Sequence, residues 1–268
     1  MSPLRVALLG ALSLAPPMHA QESAKAPPPR IEDNSFLIEE AYNQEAGVVQ
    51  HIGTFRRSAD GSWLSTFTQE WPAPAQRHQL SYTVPVQSAR GAGTGLGDLA
   101  LNYRYQALGR DEERLWLAPR LSLLVPTGST RDGRGAGGPG VQVNVPLSIT
   151  VSPFLVTHWN AGATLSRART FGGVRGTSTS LNAGASAIVL LSSNFNLMLE
   201  GLYERNETLS DVGGIVVERR MTIAPGLRAA INLASGMQIV PGVGMPISGR
   251  TADDRDLFLY FSVEHPFR

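Results

Sequence analysis

The sequence has no cysteine, which excludes disulfides, thiolate metal sites, a cysteine nucleophile and a lipid anchor on a lipobox cysteine. Lysine occurs once, at Lys25, so Schiff-base chemistry has no place in the body of the chain. The glycine-rich stretch GAGTGLG, residues 91–97, is likewise followed by no Walker lysine. It also lacks a Rossmann fingerprint, because Leu96 stands where the third glycine after Gly91 and Gly93 belongs. Charged residues make up only 17% of the chain and the net charge is +1, so nothing marks a nucleic-acid partner. No apolar run reaches the roughly 18 residues that a membrane helix requires.

What is present is glycine and proline, 28 and 18 residues, too many for a helical protein and without a collagen period. They point to many short strands joined by turns. The opening MSPLRVALLGALSLAPPMHAQ combines Arg5, an apolar run from Val6 to Leu14 and the small Ala20, the pattern of an export signal over residues 1–20. Residues 21–46 then read as a linker, SAKAPPPR with polyproline character, followed by an acidic arm.

From residue 47 onward the chain alternates with period two. In PGVQVNVPLSITV, Val141, Val143, Val145, Leu147, Ile149 and Val151 oppose Gln142, Asn144, Pro146, Ser148 and Thr150. Leu99, Leu101, Tyr103 and Tyr105 oppose Asp98, Asn102, Arg104 and Gln106 in the same way. About twelve such segments of about nine to thirteen residues are expected, the length of a tilted strand crossing hydrocarbon. The connections add an independent sign. Long ones such as PTGSTRDGRGAGGPG, SRARTFGGVRG and RNETLSDVGGIVV alternate with short ones such as PAPA, VSP and SSN, as external loops and periplasmic turns do. The fold class expected is therefore all-β: an antiparallel transmembrane barrel over residues 47–268, of about twelve strands, with an N-terminal periplasmic arm. In GVVQHIGTFRR and SWLSTFTQEW the alternation does not decide which side faces out. Trp63, Trp71, Tyr103, Tyr105, Trp116, Trp159 and Tyr203 lie near strand ends, where interface girdles use aromatics. Pro85, Pro119, Pro146, Pro225 and Pro241 each remove a ladder donor, and kinks or bulges are expected there.

The inward parity carries Asp98, Arg104, Arg120, Glu200, Glu204, Arg228 and Glu264. Arg104, Arg120 and Arg228 are either a selectivity stripe or part of a structural network with Glu200 and Glu204. The segment IEDNSFLIEEAYNQE, residues 31–45, has five acidic residues and no base. It is expected to fold into the lower lumen as a plug, with Glu39 and Glu40 facing those arginines; a short periplasmic helix or ordered arm is the alternative.

NSFLIEEAYNQEAGVVQHI (34–52), GLGDLALNYRYQAL (95–108), LSLLVPTGS (121–129) and VQVNVPLSI (141–149) resemble the meta-pathway phenol degradation family of outer-membrane barrels. The resemblance covers essentially the whole mature chain. It implies a Gram-negative outer-membrane protein passing small aromatic or other hydrophobic solutes, and it carries over no site residue. Leu257 to Phe267 resembles the terminal strand by which the barrel-assembly machinery recognises its clients, with Arg268 following the aromatic. Outer-membrane lipid, that machinery and a small-molecule solute are the partners expected; no cofactor, metal ligand or catalytic residue is. The alternatives are an outer-membrane hydrolase on lipid or ester substrates, for which His51, His78, His158 and His265 lack any adjoining nucleophile motif, and a soluble lipocalin-like binding protein, against which the long, even-numbered strands argue.

Overall fold

A computed structural model describes residues 31, 35–89, 93–109, 113–249 and 255–267. The export signal, the polyproline linker and Arg268 lie outside the described residues. The strands are β1 (Val48–Arg57), β2 (Trp63–Pro72), β3 (His78–Ala89), β4 (Gly93–Leu96), β5 (Leu99–Tyr105), β6 (Leu115–Leu117), β7 (Arg120–Val125), β8 (Gly140–Ser152), β9 (Leu155–Arg169), β10 (Arg175–Ser192), β11 (Phe195–Leu209), β12 (Ile215–Ala229), β13 (Ile231–Asn232), β14 (Gln238–Gly244) and β15 (Leu257–Pro266). Each pairs antiparallel with its neighbours. Three pairs of segments, β4 with β5, β6 with β7 and β12 with β13, are single staves broken once. That leaves a closed antiparallel barrel of twelve staves. Closure runs through β1 against β15 and a short seam in which Gly226, Leu227 and Arg228 of β12 meet Gly244, Val243 and Gly242 of β14.

The breaks follow the prolines. Pro85 faces the gap between β4 and β5, where its carbonyl accepts the Gly97 N–H. The gap between β6 and β7 is Ala118–Pro119, and Ala118 donates to the Pro146 carbonyl of β8. The gap between β12 and β13 lies opposite Pro241 and Val240 of β14. A proline has no N–H for its neighbour, so the unmatched carbonyl leaves the ladder there. Opposite Pro85, Pro146 and Pro241 the neighbouring stave is interrupted, whereas Pro225 lies within the unbroken β12, in register with Leu199.

Two expected loops are mostly strand. RNETLSDVGGIVV and SRARTFGGVRG form β-hairpins whose turns are only Ser210–Gly214 and Thr170–Val174, which is why β9 to β12 run 15 to 18 residues. Both turns close the same way, with Gly213 donating to Ser210 O and Gly173 to Thr170 O. The φ values of +87° and +88° at those glycines are left-handed, which admits glycine at no steric cost in a turn of this length.

The pleat puts apolar side chains outside: Leu101, Leu123, Val143, Leu165, Leu199 and Phe261 are exposed. The buried side is mostly polar, with Gln50, Gln79, Ser122, Ser148, His158, Asn196, Glu200, Thr222 and Arg228 all at most 2% exposed, beside one apolar patch of Ile52, Ile188, Met198, Val240 and Phe258. This is the inverse of a soluble barrel. On β1 and β2 the even residues face in. Of the girdle candidates, Trp116 is an exception: it turns into the lumen mouth and meets the Tyr42 ring edge-on at 5.1 Å.

Candidate functional site in the lumen

Residues 35–44 run inside the barrel without helix or strand, bending at 36–38 and 41, from the β12–β14 seam round the wall, and an exposed turn at Ala46–Gly47 leads into β1 at the end where Phe267 N–H meets the Gly47 carbonyl. A segment outside helix and sheet leaves its N–H groups unsatisfied, and here side chains of successive staves satisfy them. Phe36 and Leu37 donate to Glu200 at 3.0 and 3.1 Å. Glu39 donates to Asn160 Oδ1 at 2.8 Å, Ala41 to Ser148 Oγ at 2.8 Å, Asn43 to Gln106 Oε1 at 3.0 Å and Gln44 to Gln79 Oε1 at 2.7 Å. Carboxamides answer in both directions: Asn160 Nδ2 donates back to Glu39 O at 2.7 Å and Gln106 Nε2 to Ala41 O at 2.8 Å.

The far end of the arm is held by packing. The Phe36 ring lies 5.3 Å from Phe258 and 5.8 Å from Tyr260, in a notch made by three glycines. A Cβ on Gly242 or Gly244 would come within 2.8 Å of the ring, and one on Gly226 closer still. Gly226→Val should therefore displace Phe36. Overpacking of about 1–3 kcal/mol predicts that protease added to the refolded barrel cuts the arm roughly tenfold faster; an unchanged rate would mean that the notch does not hold it.

At the centre is a charge cluster. Arg104, 2% exposed, reaches Glu39 and Glu40 at 3.4 Å each and Glu70 at 3.9 Å. It also donates to Asn43 Oδ1 at 3.0 Å and to the Glu40 and Tyr42 carbonyls. Arg120 Nε meets both Glu39 oxygens at 3.0 Å and its Nη1 bonds Asn102 and Ser122. Asn144 Nδ2 donates to Glu39 Oε2 at 2.7 Å. For Glu39, burial acts upward, but Arg120, Arg104 and the Asn144 hydrogen bond outweigh it and hold the carboxyl below its ordinary value. Glu40 goes the other way. Burial pushes it up to about 8, with Glu70 and Glu39 adding to the rise and Arg104 opposing it.

Of the residues named from sequence, Arg104, Arg120, Glu39 and Glu40 come together, and Arg104 and Arg120 are register partners. Arg228 does not join them; it lies on the opposite wall at the closing seam, so the three arginines form no continuous stripe. Glu200 accepts the arm's N–H groups, while Glu204 stands apart, nearer the loop end. Sequence reasoning misses Glu70, Asn160, Ser148, Gln106 and Gln79.

The arm divides the lumen. Toward the terminal end is a chamber of about 390 Å³ lined by Ile31, Tyr42, Trp116, His158, Ile188 and Arg228. Toward the loop end are two polar chambers, about 210 Å³ against Thr54, Thr66, Thr68 and Thr83 and about 390 Å³ against Gln142, Asn144, Asn182 and Glu204. Both touch Glu39 and Arg120. Ser148 and His158 are the described pair most like a hydrolytic site, with Oγ 2.7 Å from Nδ1. Yet Ser148 is fully buried and receives the Ala41 N–H, so its hydroxyl is a joint between wall and arm. Among the described residues no group of three or more metal-ligating side chains occurs.

An all-antiparallel closed barrel with a polar lumen and an internal arm invites comparison with solved barrels. The chain superposes on the COG4313 outer membrane channel from Pseudomonas putida F1 with a TM-score of 0.58 at 11% identity, over 85% of this chain and 98% of that one. The fold is that of outer-membrane β-barrels. The NanC porin gives 0.54 at 9% identity, covering 82% and 100%, and the KdgM porin 0.50 at 9%, covering 82% and 99%. No family model and no curated protein matches the chain. At these identities the likeness extends to architecture alone.

Proposed function

We propose that the protein is a passive outer-membrane facilitator for small solutes, its lumen closed at rest by its own N-terminal arm. The observation that carries this is the row of wall side chains that satisfy the arm's backbone from Phe36 to Gln44, with chambers left on either side. The apolar outer face supports insertion in lipid, and the outward series Leu257, Leu259, Phe261 and Val263 on β15 supports assembly by the barrel machinery. The chamber at the terminal end, lined by the apolar rings of Trp116 and Tyr42 and, across it, by Arg228, supports solutes that pair an apolar body with a polar group. Phenols and aromatic acids, the class implied by the resemblance to the meta-pathway family, are the first to try.

The test is single-channel conductance of the refolded protein in planar bilayers, with and without residues 21–46, after heat-modifiable migration confirms the barrel. Steps that widen or become more frequent on deletion are expected. Absence of conductance in both forms would sink the open-lumen reading.

A further inference from the structure

The larger polar chamber at the loop end has side-chain acceptors that no donor among the described residues meets. Along one cross-strand row the register runs Arg120 to Asn144, Asn144 to Gly162, Gly162 to Asn182 and Asn182 to Glu204. Gly162 gives the neighbouring carboxamides of that row room to close over it. A Cβ there would stand 2.5 Å from Asn182 Oδ1 and 2.9 Å from Asn144 Oδ1, so both oxygens lean over the glycine. The orientation of Asn144 is fixed by Glu39, which takes its Nδ2. Its Oδ1 therefore lies over Gly162 beside Asn182 Oδ1, in a residue 5% exposed, and no donor among the described residues meets it. A buried acceptor left unmet carries a desolvation penalty that a donor would remove. Glu204, directly across from Asn182, forms no ion pair or hydrogen bond with a described residue, because its other register partner, Arg220, is held by Glu218 at 2.9 Å. The positive charge of Arg120 in the same chamber is matched by Glu39 at 3.0 Å. Glu204 is thus the chamber's unmatched charge.

We propose that this chamber is a binding site for a primary ammonium group, held by Asn144 Oδ1, Asn182 Oδ1 and the Glu204 carboxylate. A primary ammonium has three N–H donors and no acceptor, which suits a site built of acceptors with one negative charge. The chamber's volume of about 390 Å³, with Leu37 and Leu202 on its wall, leaves room for a short alkyl or hydroxyalkyl body. The proposal rests on the channel reading only in that solutes reach this chamber from the loop end.

The probe is ethanolamine, titrated by ligand-detected NMR against the full-length refolded protein in micelles at fixed ionic strength. Saturable binding is expected. Loss of a charge-assisted contact should weaken it by roughly tenfold or more in Glu204→Gln, and Asn182→Leu should weaken it too. Asp211→Asn, which removes a charge in the β11–β12 turn outside the chamber, should leave it unchanged. Equal competition by potassium would overturn the ammonium assignment in favour of a metal cation, and equal saturation by glycerol or acetate would overturn charge recognition. Unchanged affinity in Glu204→Gln would overturn the site, as two carboxamides satisfying each other would predict. Binding is read without conduction: a barrel that conducts but ignores ethanolamine overturns this proposal alone, and one that binds but never conducts overturns only the channel.

Discussion

Replacing Arg104 by methionine is expected to release the arm from the lumen. The guanidinium is buried among Glu39, Glu40 and Glu70 and donates to Asn43 Oδ1 and two arm carbonyls, so its loss strands acidic groups and acceptors together. Removing one partner of a buried ion pair typically costs about 3–5 kcal/mol, which shifts docked against undocked by roughly two to three and a half powers of ten. The outer wall does not depend on this residue. Heat-modifiable migration should therefore persist while protease reaches the arm and open time in bilayers rises. Arg120→Met should do less, because Arg120 is 19% exposed and Glu39 keeps Arg104. Arg104→Lys should recover only part of the effect, since an ammonium cannot span the spread of acceptors that the planar fork reaches. An arm that stays protected in Arg104→Met would show that the backbone contacts suffice without the charge cluster.

Period-two alternation makes the barrel legible in the sequence, because a two-sided wall between lipid and water must repeat every second residue. The hairpin extensions are not legible in that way. From Ile215 to Arg220 both faces of β12 are exposed, so no burial forces a pattern and the segment reads as loop. Glu70 escapes for a related reason: in SWLSTFTQEW, Leu64 and Phe67 fall on opposite parities, and without a facing its only glutamate cannot be placed. Trp116 shows the limit of reading aromatics by position, since its stave breaks two residues later at Ala118–Pro119. The two halves of the charge cluster, basic on the wall and acidic on the arm, are each visible. Their pairing is tertiary: Glu39 and Glu40 are neighbours in a segment without helix or strand, and only the arm's course decides that one meets Arg120 and Arg104 while the other is buried beside Arg104 and Glu70. Gln79, Gln106, Ser148 and Asn160 carry a fainter signal as inward polar residues close to the short-turn ends.

Arm docking should also weaken as pH rises from about 5.5 to 8. Docked, Glu40 is pushed up to about 8 by burial, with Glu70 and Glu39 adding and Arg104 opposing; released into water it returns to its ordinary 4.5. The docked state therefore holds a proton that the released state has lost throughout that window. Its contribution is complete below the ordinary value and is spent once pH passes the docked one. The slope is at most about 1.4 kcal/mol per pH unit, a tenfold change in the docking ratio for each unit. Glu39 works with the opposite sign. Its docked value is lowered, so its stabilisation is present above the ordinary carboxylate range and lost as pH falls through it, which leaves it constant over this window. Docking should accordingly be tightest just above that range. The measurement is the rate of arm cleavage, or the open probability, at half-unit steps across the window for the wild type and Glu40→Gln. The variant keeps a neutral side chain beside Arg104 at every pH and should stay docked with a flat profile. Equal slopes in the two proteins would remove Glu40 as the titrating group and move the proton to another member of the cluster.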